Sequence, residues 1–426
     1  MGNSFGYRIA FMKGGTNMAW LETRVMDERF GFVRDVMEDT YTMTELCRLY
    51  NISRKTGYKW LGRYDEFGVE GLKDLPRAPH HHPNALSDII RTALLEIKTR
   101  FPHWGAAKID CRLRKLHPDW QQYPALSTIG QLLKQKGLVH AHRYRHTTSP
   151  TQGTLTVGRR VNDVWCADFK GHFKTKDANR CNPLTITDNF SRYILCCKHV
   201  EKMSYTLVKE QFERVFKSFG LPLVLRTDNG IPFSTCGLCG LSKLSAWWIK
   251  LGIYPERIEP GKPEQNGRHE RMHRTLKQET ASPPAADTKL QQKRFDQFVW
   301  DYNELRPHQA INMLTPSSLY ERSDRRFPSK TPQPCYPRKM KVCKVRPNGE
   351  LSYHGRNYLS EALAGEYVGL EMIDDDTSVV WFYDYKLGTL DHRTRKVEPA
   401  KCYPFSAGVN PCLSHNSGKV LPMCPV

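Results

Sequence analysis

Val164-Trp165-Cys166-Ala167-Asp168-Phe169-Lys170-Gly171 reads as an apolar strand that runs into a carboxylate and then breaks. A run of apolar side chains this short and unalternating suits a strand covered on both faces. A second such run, Leu223 to Leu225, is entered just after Pro222 and leads into Thr227-Asp228-Asn229-Gly230. A third acid, Glu270, stands in Asn266-Gly267-Arg268-His269-Glu270-Arg271, within a helical pattern from about Pro263 to Glu279. Carboxylates ending two apolar strands, with a third on a later helix, can converge to hold two divalent metal ions for in-line attack on a phosphodiester. Singly each is weak, because Asp before Gly or Asn is more often a turn residue.

Working outward, Val164 to Phe173, Pro183 to Asp188 and Tyr193 to Val200 read as strands, followed by a helix over Tyr205 to Phe219. A Gly-rich loop after Asp228 reaches a helix over Ser242 to Leu251. This order suggests a mixed α/β sheet with its chemistry at strand ends. On the later helix Asn266, Glu270, Arg274 and Lys277 share one face, with Met272 and Leu276 toward a core. A carboxylate among bases suits metal on one side and phosphate on the other.

The chain has 426 residues, Lys+Arg 64 against Asp+Glu 44, and a net charge of +20. That excess points to a polyanionic partner, double-stranded DNA before others. A mean hydropathy of −0.59 and no apolar run approaching the ~20 residues of a membrane span speak against a membrane protein. Met1 to Gly6 lacks the apolar run of a signal peptide and has Gly6 where a myristoylation motif wants Ser or Thr, so a cytoplasmic, nucleoid-associated protein is expected. Thirteen cysteines, an odd number, exclude complete disulfide pairing. Cys236-Gly-Leu-Cys239 is half a zinc motif without a second half and reads as a loop with reduced thiols.

Before the α/β segment, a helix from Met26 through Val36 precedes Thr42 to Leu61. There Leu46, Leu49 and Tyr50, a turn at Asn51, a Ser53 N-cap, and inward Trp60 and Leu61 make a helix-turn-helix. Its second helix would present Arg54, Lys55 and Lys59 to a major groove. Beyond the Pro- and His-rich linker at 76–83, helices over Leu86 to Lys98, Ala106 to Leu116 and Pro124 to Lys134 form a second module. Ser127 is its expected cap, and Ile129, Leu132 and Leu133 its buried stripe. Val139 to Arg160 has no acidic residue before Asp163, and its Arg143, Arg145, Arg159 and Arg160 read as phosphate contacts on an extended linker. After Pro337, strands over Lys339 to Val345, Leu351 to Tyr353, Tyr367 to Ile373, Ser378 to Tyr385 and Gly388 to Leu390, with Asn348-Gly349 as a tight turn, indicate a small antiparallel β-barrel.

Met18-Ala-Trp-Leu-Glu22, Ile52 to Trp60, Trp165 to Gly171, Thr227 to Gly230, Pro260-Gly-Lys-Pro-Glu-Gln-Asn-Gly-Arg-His-Glu-Arg271, Tyr302-Asn303 and Arg306-Pro-His-Gln309 together resemble the bacterial insertion-sequence transposases with a retroviral-integrase-like core, of the insertion sequence 481 group. The resemblance spans nearly everything from Met18 to Val397. It implies an RNase H-like core and an Asp-Asp-Glu triad at Asp168, Asp228 and Glu270, with two Mg²⁺ ions, Mn²⁺ as substitute, and a homo-oligomer on synapsed DNA. Glu264 competes for the third place, since 264 − 228 − 1 = 35 residues lie between it and Asp228, against 41 for Glu270. Glu270 is preferred for the Gly267-Arg268-His269 before it, and Glu264 suits a helix start. The expected order is a disordered extension (1–17), a helix-turn-helix domain (18–75), a second one (84–140), a basic linker (141–161), the catalytic core (162–323), a barrel (335–400) and a tail (401–426). The expected function is cleavage and strand transfer at terminal inverted repeats; the alternative is a DNA-binding regulator or catalytically silent relative.

Overall fold

The computed structural model describes residues 25–75, 86–139, 155–235 and 237–400. They fall into two compact units, divided at Ala85/Leu86.

In the first unit, α1 (Val25–Met37), α2 (Met43–Leu49) and α3 (Arg54–Phe67) surround Phe32, Val33, Leu46 and Trp60. Thr42 and Glu45 form a reciprocal capping box on α2, and Ser53 accepts from Thr56 N–H to start α3. Asn51 turns the chain at φ 51°. Gly57 sits where a Cβ would meet Cys47 Sγ at 2.8 Å, so its missing side chain lets α2 and α3 cross closely. Leu49, expected inward, is 48% exposed, because α2 buries Leu46 and Cys47 instead.

The second unit begins with α4 (Asp88–Arg100), α5 (Ala106–Leu116) and α6 (Leu126–Gln135) around Leu94, Trp104, Ile109, Leu113, Ile129, Leu132 and Leu133. Ser127 is not the cap: the helix starts at Leu126 behind an extended Ala125, so Ser127 lies within its first turn. This bundle is packed on the α/β core rather than standing apart. Leu305 enters its apolar cluster, and Cys111 Sγ reaches Met313 O at 3.5 Å.

The core sheet has the order β5-β4-β1-β6-β7, from β1 (Val164–Phe169), β4 (Pro183–Asp188), β5 (Ile194–His199), β6 (Val224–Thr227) and β7 (Tyr254–Arg257). β4 is antiparallel to β1 and β5, while β1, β6 and β7 run parallel. The expected strand to Phe173 ends at Phe169; Phe173–Lys174 (β2) pairs instead with Arg180–Cys181 (β3). Strand alternation sends Trp165, Ala167, Leu184 and Ile186 to one face, under α7 (Tyr205–Phe219) and α8 (Lys243–Lys250) with Phe212, Phe216 and Trp248. Asp168, Thr185 and Thr187 thereby face the other side, covered by α9 (Gly267–Thr280) and α10 (Thr288–Trp300), whose Met272, Leu276, Phe295 and Phe298 share a cluster with Ile194 and Cys197.

Beyond the core, β8 (Lys341–Lys344), β11 (Tyr367–Met372), β12 (Thr377–Phe382), β13 (Tyr385–Asp391) and β14 (Lys396–Pro399) form an antiparallel sheet ordered β14-β13-β12-β11-β8. The Asn348-Gly349 turn forms, with Gly349 at φ 80° and Arg346 N–H donating to Glu350 O. After it β9 (Glu350–Ser352) pairs with β10 (Arg356–Tyr358), and meets the preceding strand segment only through the antiparallel bridge Val345–Leu351 just past β8. The two sheets share an apolar cluster with Leu241, Ala246 and Ile249 of the core, and a tight turn at Tyr383 splits the single strand expected over Ser378 to Tyr385.

Candidate active site

Strand register brings the two aspartates together. Ala167 pairs with Thr227 across the parallel β1–β6 ladder, so the next residues, Asp168 and Asp228, leave the same sheet end side by side. Asp168 is also paired with Thr185 on β4. Asn266 donates Nδ2–H to Asp168 Oδ2 at 3.4 Å, and Gly230 N–H donates to Asp228 Oδ1 at 3.1 Å.

Glu270 is exposed in the first turn of α9, near enough for its charge to bear on Asp168. Burial, then the negative charges of Asp228 and Glu270, push the Asp168 carboxyl up to about 7, against opposing help from the Phe169 N–H and Lys170. Burial also raises Asp228, which its Gly230 hydrogen bond partly offsets. Glu264 is exposed in the single 3₁₀ turn Pro263–Asn266 ahead of α9, and its charge bears on Lys262.

Beneath this acidic mouth lies a pair of buried histidines that reading the sequence had not singled out. His269 and His273 are 2% and 5% exposed, one helical turn apart, with ring centroids 4.6 Å apart. Both Nε2 atoms lie 2.7 Å from Thr185 Oγ1, which also donates to the Asp168 carbonyl at 3.0 Å, and Thr187 Oγ1 lies 2.9 Å from His269 Nδ1. Burial drives His269 down to about 3; burial, the neighbouring His269 and Lys170 drive His273 down to about 2. The 3.8 Å approach of His273 Nδ1 to Asp168 Oδ2 has the spacing of a loose ion pair, but a ring that resists protonation this strongly is neutral. A signal was available: His269, Met272, His273, Leu276 and Thr280 recur at helical offsets and are all buried.

The other expected residues separate into groups. Arg54, Lys55 and Lys59 are exposed together on α3. Arg274 and Lys277 are exposed on α9, whereas Asn266 of the same stripe is 6% exposed and turned to Asp168. Arg159 and Arg160 are exposed, their backbone N–H groups held by Asp163 Oδ2 at 2.9 and 2.8 Å. Arg143 and Arg145 lie outside the described residues, as do the 1–17 extension, Cys236 and the tail from 401.

The Tyr302-Asn303 and Arg306 motif serves the site from behind. Asn303 bonds both backbone groups of Ile194 on β5, at 2.9 and 3.0 Å, and Arg306 pairs with Glu279 near the end of α9 at 2.7 Å. It ties the helix carrying Glu270 to the sheet carrying Asp168.

Comparison with known proteins agrees with this architecture. Integrase core domain models match residues 158–263 and 251–316, a helix-turn-helix model 28–80, a homeodomain-like model 56–133, and the C-terminal domain of IS481 family transposases 340–398. An uncharacterized protein of insertion element IS407 from Burkholderia multivorans is 29% identical over 58% of this chain and 87% of its own length. One of insertion element IS476 from Xanthomonas euvesicatoria is 29% identical, over 39% of this chain and 46% of its own. The Pol polyprotein of feline endogenous virus ECE1 is 30% identical over 34% of this chain, which spans 13% of that polyprotein. No helix among the described residues is long and apolar enough to cross a membrane. DNA-binding helix-turn-helix modules, an integrase core and this C-terminal domain support an insertion-sequence transposase of the IS481 type, a polynucleotidyl transferase of DNA integration and transposition.

Proposed function

We propose that Asp168, Asp228 and Glu270 are the three acids of the active site, at which two Mg²⁺ ions, or Mn²⁺ in their place, serve cleavage and strand transfer at the element's terminal inverted repeats. The observation that carries this reading is the β1–β6 register, which sets Asp168 and Asp228 side by side at one sheet end, where burial and neighbouring negative charge raise the Asp168 carboxyl. Carboxylates so crowded fit a divalent cation, which would relieve both burial and repulsion. Glu270 takes the third place over Glu264 because it stands in the first turn of α9, on the helix that covers the Asp168 face of the sheet, with its charge raising the Asp168 carboxyl, while Glu264 sits in the 3₁₀ turn ahead of that helix.

When bound, divalent cations supply charge neutralisation at phosphorus and activation of the attacking oxygen. The chain's own residues prepare the geometry. The β1–β6 register sets Asp168 beside Asp228, Gly230 N–H and Asn266 Nδ2–H orient their carboxylates, and the Arg306–Glu279 pair holds α9. Arg54, Lys55 and Lys59 read base edges, and Arg159, Arg160, Arg274 and Lys277 meet phosphates. We place the functional boundaries at 18–75, 84–140, 141–161, 162–323 and 335–400, the last a small barrel-like DNA-binding domain. The chain works as a homo-oligomer on synapsed ends, because one site must serve two ends and a target.

The test is metal-dependent nicking and joining of a duplex carrying the element's own end. Asp168→Asn, Asp228→Asn and Glu270→Gln should each abolish both reactions while end binding persists, and Glu264→Gln should leave them in place. Full strand transfer by Asp168→Asn overturns the assignment; loss with Glu264→Gln and not with Glu270→Gln moves the third acid.

A further inference from the structure

We propose that His273 offers its Nδ1 as a nitrogen ligand to the cation bound by Asp168, making that position a mixed oxygen–nitrogen site. This rests on the reading of Asp168 as a cation-binding carboxylate. It adds a residue outside the acidic triad.

Asp168, His269 and His273 bring one donor atom each within 4.8 Å of one another. Counting hydrogen-bond protons decides which nitrogen is free. The Asp168 carbonyl can only accept, so the single Thr185 hydroxyl proton goes to it, at 3.0 Å. The 2.7 Å contacts from Thr185 Oγ1 to both rings then require Nε2–H on His269 and on His273. His269 Nδ1 in turn accepts from the Thr187 hydroxyl at 2.9 Å, which occupies both its nitrogens. His269 is therefore a positioning residue.

His273 Nδ1 is left with a bare lone pair and no hydrogen-bond partner among the described residues. Its nearest carboxylate oxygen, Asp168 Oδ2, lies 3.8 Å away, beyond hydrogen-bond reach. Two donors bound to one ion at about 2.1 Å each sit roughly 3 to 4 Å apart, so that gap matches a shared cation. The Nε2–H···Thr185 bond fixes the ring's tautomer and orientation, as hydrogen-bonded partners of ligating histidines commonly do. Thr185 lies directly across the ladder from Asp168, so one hydroxyl aligns both donors.

An imidazole ligand shifts preference from Mg²⁺ toward Mn²⁺ relative to an all-oxygen site. The test loads the full-length chain with less than one equivalent of Mn²⁺ and reads ¹⁴N coupling by pulsed electron paramagnetic resonance. The wild type should show the coupling of a directly bound imidazole. His273→Gln, which can keep an amide N–H toward Thr185 but has no δ-nitrogen, should lose it and bind Mn²⁺ roughly tenfold more weakly. The Mn²⁺-over-Mg²⁺ preference should narrow in the same variant. Absence of ¹⁴N coupling in the wild type, a reading that needs no variant to fold, overturns the proposal, as does coupling that persists in His273→Gln. Asp168→Asn separates the two levels: if it weakens Mn²⁺ binding while the wild type shows no ¹⁴N coupling, the carboxylate site stands and the histidine ligand falls. Unchanged Mn²⁺ affinity in Asp168→Asn overturns both.

Discussion

At the scale of single residues, Asp168 links the site's electrostatics to stability. Its folded value near 7 lies above the ordinary 3.8, so the folded state prefers the protonated form. Its contribution is complete below about pH 4 and is lost as pH rises through about 7. Without metal, Asp168→Asn should therefore melt at a higher temperature than the wild type at pH 8 and show little gain at pH 4. Divalent cation should raise the wild-type melting temperature at pH 8 far more than that of the variant. Calorimetry with chelator and with Mg²⁺ checks both; an Asn variant less stable at pH 8 in chelator would contradict the account. His269 and His273 act with the opposite sign. Held near 3 and 2 against an ordinary 6.5, they favour the folded state above pH 6.5 and withdraw that support as pH falls. The wild type should thus lose stability on acidification below about pH 6.

At the scale of elements, the parallel edge of the sheet depends on a buried ion pair. Arg226 Nε lies 2.7 Å from Glu256 Oε2, and both residues are almost wholly buried. Glu256 Oε1 also accepts from Thr156 N–H and hydroxyl at 2.7 and 2.6 Å, and Arg226 donates to Thr156 O. The start of the core segment is thereby stitched across β6 and β7. Glu256→Ala would leave the Arg226 charge buried without its partner and should cost about 3–5 kcal/mol in urea unfolding. Replacing both by apolar residues of similar volume should restore most of it. Likewise Asn303→Ala leaves both Ile194 backbone groups unpaired on β5 and should cost about 2–3 kcal/mol, with slower strand transfer because α9 loses its brace.

At the scale of the whole molecule, the proposed reading and gripping of DNA fall to residues of different units. Arg54 stands exposed on α3 of the first unit, while Arg159 stands in the second, at the start of the core. Arg54→Ala should narrow the difference between terminal-repeat and random duplex affinity. Arg159→Ala should weaken both equally and reduce the salt slope of binding by about one. Titrations at several salt concentrations decide this; equal loss on both duplexes for both variants would contradict it.

The Ser53 cap of the helix-turn-helix, the strands carrying Asp168 and Asp228, and the amphipathic α9 were legible because each is written in local pattern: Ser53 after a polar turn and before a helical run, unbroken apolar runs, three- and four-residue offsets. β7 was not, since Tyr254-Pro255-Glu256-Arg257 lacks any strand period; it is a strand because β6 offers its ladder and Pro255 is tolerated at a sheet edge. Pairing in the C-terminal domain was equally hidden: the Asn348-Gly349 turn is local, but whether β9 joins β8 or β10 depends on partners far along the chain. The amino-acid text by itself determined the elements, the basic character and the acidic motifs, because periodicity, capping and charge are properties of neighbours in sequence. Only the tertiary structure decided that Asp168 and Asp228 share a sheet end, that Asn266 turns inward and that two histidines converge on Thr185, because register and burial arise from residues up to a hundred positions apart competing for one hydrogen-bonded interior.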